Sequence, residues 1–135
     1  MRVIDENKLN ALFEDAQSSV RKRSHLLLHS DHNEKVQRLV IALLKGSYVE
    51  PHYHELPHQW EMFIVSEGCV QITLYTPGGE IQSTFLAGPR NDTAIVEFSP
   101  GDIHSVECVS ERAVMIEVKE GPFEPQFAKA SPDWA

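Results

Sequence analysis

The chain has 135 residues, of which 41 % are hydrophobic, and a net charge of −8. This length and composition predict one globular domain with its own core. The acidic balance argues against general nucleic-acid binding, and no run approaches the roughly 20 apolar residues that span a bilayer. The N-terminal segment lacks the apolar stretch of a signal peptide. Two cysteines, Cys69 and Cys108, are too few for a disulfide framework. We therefore expect a cytoplasmic protein with no membrane or nucleic-acid partner.

The first predicted element is a helix over residues 5–20. Asp5 is a suitable N-cap residue. Apolar residues then recur at the helical spacing i, i+3, i+4 and i+7, namely Leu9, Leu12, Phe13 and Ala16. A single apolar stripe favours a helix that packs on a sheet over one that binds a partner.

Three consecutive basic residues follow, Arg21, Lys22 and Arg23. They are typical of a solvated helix C-terminus, where cations complement the helix dipole. The alternative is a basic rim that binds an anion such as a phosphate or a carboxylate. Arg38 presents a similar choice within an otherwise apolar strand: it extends to solvent from the strand edge, or it points into a cavity and holds an anion. Arg23 and Arg38 are therefore our candidate substrate-binding residues.

The remainder of the chain up to residue 118 predicts many short strands separated by turns. Apolar and polar residues alternate from Val70 to Tyr75, which is the period of a half-buried strand. Pro77-Gly78-Gly79 then predicts a hairpin. Short strands at regular spacing indicate an antiparallel sandwich or barrel. We expect one domain over residues 1–135, with a barrel over 24–118 and an irregular arm over 119–135. The predicted strands are 24–29, 36–44, 62–65, 70–76, 81–86, 93–98, 105–108 and 113–118.

Four residues form the candidate metal site: His52, His54, Glu61 and His104. Side chains alternate between the faces of a strand, so an H-x-H pair directs two imidazoles the same way. Three imidazoles and a carboxylate suit one divalent transition metal (Zn, Fe, Mn or Ni) and leave coordination positions open for chemistry. We expect His25, His29 and His32 to lie outside the coordination shell.

The spacing of these residues resembles the motifs of the cupins, small jelly-roll barrels also called double-stranded β-helices. The first cupin motif, Gly-x5-His-x-His-x3–4-Glu-x6-Gly, is matched by Gly46, His52, His54, Glu61 and Gly68. The segment between His54 and Glu61 is longer than the motif and brings His58 near the site. We therefore keep His58 open as a competing ligand.

The second cupin motif, Gly-x5-Pro-x-Gly-x2-His-x3-Asn, is kept in part. Gly101 and His104 match, while Pro100 lies one place late, Thr93 replaces the first glycine and Cys108 replaces the asparagine. The resemblance implies an all-β cupin barrel with a short N-terminal helix. It also implies that the four ligands lie on neighbouring strands and converge on one ion. Cys108 would lie deeper in the barrel and contribute packing.

Over residues 5–135 the chain more narrowly resembles the WbuC-type cupin-fold metalloproteins. This resemblance depends on the N-terminal helix and on the segments Arg21-Lys22-Arg23-Ser24-His25, Gln37-Arg38-Leu39, Pro51-His52-Tyr53-His54 and Glu120-Gly121-Pro122-Phe123. It implies a place among bacterial surface-polysaccharide genes, and hence a carbohydrate or nucleotide-sugar substrate. It does not define a reaction.

Three functions remain open at this point. The favoured one is a metal-dependent sugar isomerase, in which the ion polarises a carbonyl while a base moves a proton. The alternatives are an Fe(II)-dependent oxygenase and a non-enzymatic module that binds a metal or a sugar. Tyr48, Tyr75, His25 and Glu117 are candidate bases, with none preferred. Because cupins often pair through their sheets, we expect a homodimer.

Overall fold

The computed structural model describes residues 1–135 and contains one α-helix and nine strands. Their bounds are α1 Glu6–Gln17, β1 Arg23–Leu27, β2 Val36–Leu44, β3 Tyr48–His52, β4 Glu61–Glu67, β5 Val70–Tyr75, β6 Ile81–Ala87, β7 Ile95–Phe98, β8 Ile103–Cys108 and β9 Arg112–Glu120. One 3-10 turn, Pro125–Phe127, follows in the C-terminal segment. No helix has the length and hydropathy of a membrane span.

The strands form two antiparallel sheets that face each other across the core. One sheet has the order β1-β2-β9-β4-β7 and the other has the order β3-β8-β5-β6. β5 and β6 pair as the hairpin predicted from Pro77-Gly78-Gly79. The arrangement confirms the predicted all-β jelly roll with one N-terminal helix.

The long apolar strand β2 contributes side chains to two hydrophobic clusters, one on each face of its sheet, which explains its nearly unbroken apolar sequence. Leu39, Ile41 and Leu43 point between the two sheets. The alternate residues Val40 and Ala42 point outward and pack under the buried stripe of α1. Full burial of each large apolar side chain stabilises the fold by about 1.5–3 kcal/mol. The helix therefore covers the outer face of the five-stranded sheet, as the single stripe predicted.

Most strand ends differ from the sequence prediction by one or two residues, and β3 was not among the predicted strands. Two boundary differences affect the architecture. α1 ends at Gln17 rather than at residue 20 because the buried stripe stops at Ala16 and Val20 is 98 % exposed. At its start, Asp5 caps the helix by accepting a hydrogen bond from the Lys8 backbone N–H at 3.0 Å. β9 extends to Glu120, so the C-terminal arm comprises residues 121–135.

Two motif glycines have backbone reasons to be glycine. Gly68 has φ +75° between β4 and β5, and a side chain there would collide with the Arg112 backbone carbonyl. Gly101 has φ +90° in the turn that precedes β8. Both lie in the left-handed region that other residues rarely adopt. The second glycine thus sets the turn from which His104 enters the barrel.

Candidate metal centre

His52 and His104 approach the site from paired strands. They are register partners across β3 and β8, and their ring centroids are 4.4 Å apart. Glu61 is the first residue of β4, which belongs to the opposite sheet. The expectation that all ligand strands neighbour one another was therefore wrong for Glu61. The loop over residues 53–60 carries the chain from one sheet to the other, so the carboxylate meets the imidazoles across the barrel interior.

His54 lies beyond the end of β3, so the prediction that both histidines share one strand face was wrong in its local detail. The β3–β8 pairing shifts register between Val49 and His52. Tyr53 then pairs with Ala130 of the C-terminal arm instead. Even so, the His54 ring lies 5.4 Å from that of His52 between centroids, at an angle of 83°.

The ligand atoms of His52, His54 and Glu61 all lie within 4.8 Å of one another. His104 is not part of that close group, but its Nε2 atom lies 2.9 Å from Oε1 of Glu61. Its ring is 0 % exposed and stacks on Phe98 with centroids 3.8 Å apart. His104 can therefore act as a fourth ligand or orient the carboxylate, and its predicted role as a ligand stays a prediction.

Backbone carbonyls set the tautomer of all three histidines. The Nδ1 atoms of His52, His54 and His104 lie 2.8–2.9 Å from the carbonyl oxygens of Glu50, Ala128 and Asp102, respectively. Because a carbonyl can only accept, each Nδ1 must carry the proton. In the neutral ring, Nε2 then presents a lone pair. Metal-binding histidines are commonly held in this way.

These lone pairs point at a carboxylate, an arrangement that a bound cation would stabilise. Nε2 of His54 is buried without a hydrogen-bond partner, although it lies 3.2 Å from Oε2 of Glu61. Nε2 of His104 faces the other oxygen of the same carboxylate. Electron-rich atoms at such distances repel each other unless the rings are doubly protonated or a metal ion lies among them. The residues present therefore fit a divalent cation with a nitrogen and oxygen ligand set.

The charge states of His52 and Glu61 suit this role. Burial, reinforced by nearby His104, lowers the pKa of His52 to about 4, so its ring is neutral at physiological pH. Burial alone would raise the pKa of Glu61, but the adjacent imidazoles of His104 and His54 outweigh it and hold that pKa well below its usual range. A neutral imidazole and an ionised carboxylate are the forms that bind metals.

Glu117 on β9 is a site residue with only a weak signal in the sequence. Burial and the negative charge of Glu61 raise the pKa of its carboxyl group to about 8. Ala113 and Met115 point into the core, and alternation along the strand carries Glu117 to the same face. Glu117 was one of the four candidate bases, and this alternation explains its position at the site.

A cavity of about 340 Å³ opens beside these residues. Part of its wall is apolar and includes Phe63 and Met115, while the wall also includes a set of basic residues: Arg21, Arg23, His25, Lys119 and Lys129. Arg23 therefore lies where a substrate-binding residue would be needed, and its role stays a prediction.

The structure does not bring Arg38 to this cavity. Alternation along β2 places its side chain on the opposite face from Leu39. Its guanidinium pairs with Glu34 at 3.1 Å and donates a hydrogen bond to the Leu28 carbonyl at 3.1 Å. Of the two positions considered for Arg38, the partly exposed one is observed.

The four remaining histidines named in the sequence analysis do not belong to the close group of ligand atoms. His25 lines the cavity. His29 accepts a hydrogen bond at Nδ1 from the Arg38 backbone N–H at 3.1 Å. The ring of His32 packs against Phe123, with centroids 4.8 Å apart. His58 lies in the loop between His54 and Glu61 but outside the group.

The C-terminal arm completes one side of the site. Besides the Ala128 carbonyl that fixes His54, the Phe127 carbonyl accepts a hydrogen bond from the Gln59 side chain at 2.7 Å. Tyr53 and Ala130 exchange backbone hydrogen bonds of 3.0 and 2.8 Å. Sequence analysis predicted an arm on the surface but missed this contact, because backbone carbonyls leave no residue-type signature.

Solved structures resemble the chain in fold. A cupin superfamily protein from Desulfitobacterium hafniense DCB-2 has a TM-score of 0.57 at 13% identity, covering 73% of this chain and 76% of that one. The capsular polysaccharide assembling protein CapF from Staphylococcus aureus has a TM-score of 0.63 at 19% identity, covering 80% of this chain but 34% of CapF. Oxalate oxidase in complex with the substrate analogue glycolate has a TM-score of 0.62 at 16% identity, with 78% and 54% covered. These likenesses show the cupin fold.

A search among curated proteins finds no match. Residues 4–87, more than half of the chain, match the model of a family described as a domain of unknown function, DUF6016. The matched segment runs from α1 to the end of β6 and includes His52, His54 and Glu61. This cupin-fold chain thus belongs to the DUF6016 family.

Proposed function

We propose that this protein is a metal-dependent cupin that acts on a small molecule, with a sugar or nucleotide sugar as the substrate class. The observation that carries the proposal is the arrangement of three Nδ1-protonated imidazoles around the buried carboxylate of Glu61, beside a cavity of about 340 Å³. Pockets that bind small molecules have volumes of about 300–1,000 Å³. A metal site that opens into such a cavity can meet a substrate.

His52, His54 and Glu61 would hold the ion, with His104 as the predicted fourth ligand. A bound Zn, Fe, Mn or Ni ion would supply Lewis-acid polarisation of a substrate carbonyl or hydroxyl oxygen. The chain's own contribution is to orient the rings through the carbonyls of Glu50, Ala128 and Asp102. Apolar residues along the cavity wall limit the access of water.

Isomerase-type chemistry also needs a group that moves a proton. Of the four candidate bases, His25 and Glu117 line the cavity. Tyr48 and Tyr75 are not among its lining residues, and the Tyr75 hydroxyl is instead hydrogen-bonded to Ser105 at 3.0 Å. Of these two, Glu117 interacts directly with the candidate ligand Glu61. It is therefore the group best placed to hold a proton beside a bound substrate.

Two resemblances support a carbohydrate as the substrate. One is the resemblance of the sequence to the WbuC-type cupin-fold metalloproteins. The other is the fold likeness to CapF, which is described as a capsular polysaccharide assembling protein. We propose on this basis a cytoplasmic homodimer that takes part in surface-polysaccharide biosynthesis.

The second candidate is an Fe(II)-dependent oxygenase. A mixed set of imidazoles and one carboxylate also suits non-haem iron, and oxalate oxidase shares the fold. The third candidate is a module that binds a metal or a sugar without turnover. All three candidates use the same four side chains and differ in what happens to the ligand.

The experiment that separates them begins with elemental analysis of protein purified without added metal. Oxygen uptake is then measured, and a thermal-shift screen with sugar phosphates and nucleotide sugars follows. A redox-silent ion, no oxygen uptake and conversion of a stabilising sugar between aldose and ketose forms would support isomerisation. Iron with substrate-dependent oxygen uptake would favour the oxygenase. Stabilisation without any product would favour the binding module.

A further inference from the structure

The charge around the cavity is opposite in sign to that of the whole protein. The chain carries a net charge of −8. The cavity wall holds two carboxyl groups, Glu61 and Glu117, but four cations: Arg21, Arg23, Lys119 and Lys129. His25 lies among them. A basic group of this density in an acidic protein is not expected from composition. It creates a local positive potential that attracts anions into the cavity.

Few acidic partners neutralise this basic group. The Arg23 guanidinium contacts only backbone carbonyls, those of Tyr48 at 3.4 Å and Arg21 at 3.5 Å. Lys119 has Glu117 as its one carboxylate neighbour, at 4.0 Å. Buried and half-buried charges normally have close partners of opposite sign. Arg23 and Lys119 therefore retain donors for a ligand.

The clustering of positive charges is also reflected in the pKa values of the groups at the cavity. Burial, followed by the positive charges of Arg23, Arg21 and Lys119, lowers the pKa of His25. Burial and Arg21 likewise lower the pKa of Arg23. Like charges held together at a cavity cost stability, and a bound anion would relieve that cost.

We infer that the substrate is an anionic sugar, a sugar phosphate or a sugar acid, whose anionic group binds Arg23 and Lys119 while a carbonyl or hydroxyl oxygen faces His52, His54 and Glu61. Both sets of residues line the same cavity, so one ligand can contact both. A volume near the lower end of the range for ligand pockets suits a single sugar unit. The nucleotide of a nucleotide sugar would extend beyond the rim. The contact between the carbonyl or hydroxyl oxygen and the metal site rests on the proposed metal-dependent function.

The test is calorimetric titration of the metal-containing protein with four probes: glucose 6-phosphate, glucuronate, inorganic phosphate and glucose. We expect at least one of the two anionic sugars to bind about tenfold or more tightly than glucose, because hydrogen bonds to charged groups are the stronger ones. Preference between phosphate and carboxylate would identify the anionic group. Inorganic phosphate should compete with the preferred sugar.

The variants Arg23→Gln and Lys119→Gln should each weaken binding of the anionic sugar by about tenfold and leave glucose binding unchanged. Metal content should remain at the wild-type level in both. Arg90→Gln, which removes an exposed cation from a turn away from the cavity, is the matched control and should bind as wild type does.

Two results would overturn the inference: equal or absent binding of glucose, glucose 6-phosphate and glucuronate, or anion binding that is unchanged in Arg23→Gln and Lys119→Gln. A protein that binds anionic sugars in the expected way but holds no metal would instead contradict the proposed function and leave the anion site standing. Elemental analysis of the same samples separates the two failures.

Discussion

Both sides of the candidate metal centre present histidine imidazoles, but different parts of the chain hold those imidazoles in place. On the strand side, His52 and His104 face each other across paired strands and are 7 % and 0 % exposed. On the arm side, His54 lies past the end of β3 and is held by the Ala128 carbonyl. The strand side is part of the barrel core, whereas the arm side depends on a few hydrogen bonds to a terminal segment. Loss of the first should impair both folding and metal binding, and loss of the second should chiefly impair metal binding.

The largest expected effect separates the two sides by stability. In metal-free protein, His104→Ala should lower the free energy of unfolding by about 3 kcal/mol, because it leaves a cavity beside Phe98 and removes a buried partner of Glu61. His54→Ala should cost about 1 kcal/mol or less, since its ring lies at the edge of the core. Urea unfolding in the presence of a chelator measures both values.

Both variants should lose metal affinity even though their stabilities differ. Val106→Ala, which truncates a buried apolar residue on the same strand as His104, serves as a control that perturbs packing but retains the ligands. A stability loss for His54→Ala equal to that for His104→Ala would contradict the difference between the two sides.

A pH effect is expected from the strand side. The folded-state pKa of His52 is about 4, below the ordinary value near 6.5. The unfolded chain therefore takes up a proton at this residue below pH 6.5, while the folded chain stays neutral until about pH 4. Acidification across this window should cost metal-free protein roughly 3 kcal/mol of stability.

Glu117 makes stability depend on pH in the opposite direction. Its pKa is raised to about 8, so its contribution to stability is lost as the pH rises from about 4.5 to 8. Glu117 is present in both wild type and His52→Gln, so its contribution cancels in the difference between their free energies of unfolding. We expect this difference to shrink steadily from pH 7 to pH 4. A difference that does not change with pH would show that His52 titrates normally in the folded protein.

The smallest expected effect concerns the arm side. Truncation after Gly121 removes the carbonyl that orients His54 and the Phe127 partner of Gln59. Metal affinity should fall by about 10–100-fold, as it does when partners that orient metal ligands are lost. The far-ultraviolet circular dichroism of the strands should change little. Competition with a coloured chelator measures the affinity.

Trp134→Ala is the milder comparison for the truncation. Its indole N–H donates a hydrogen bond to the Pro77 carbonyl at 2.9 Å, at the far end of the arm, and does not contact His54. Metal affinity should fall less in this variant than in the truncated protein. Equal affinity in truncated and full-length protein would show that the arm does not support His54.

The candidate ligands could be predicted from the sequence, whereas the backbone contact that holds His54 could not. The four candidate ligands were accessible because their signals are local: an H-x-H pair, a glutamate before an apolar run and a histidine after a Pro-Gly turn. The barrel was accessible because alternation and turn residues report strands directly. Spacing does not tell whether two strands lie in the same sheet, and for that reason the position of Glu61 opposite the histidines was missed.

The support that the C-terminal arm gives to His54 was beyond local signals. Ala128 acts through its carbonyl, which every residue has, and 74 residues separate it from His54. Arg38 shows a related limit. Its unusual place in an apolar strand allowed both an inward and an outward position, and only the pairing with Glu34 decided between them. Side-chain chemistry that is local in sequence is thus easier to predict than support that comes from a distant backbone.

The proposed role of His52, His54 and Glu61 is to bind a divalent ion in the barrel. The most direct test is elemental analysis of wild type and of the double variant His52→Ala, His54→Ala, purified in parallel without added metal. We expect a bound transition metal in the wild type, its loss in the double variant, and a β-sheet circular dichroism signal that largely persists because the apolar core does not depend on the ion. A wild-type protein that holds no metal, and whose melting temperature responds to neither chelator nor added metal, would contradict it.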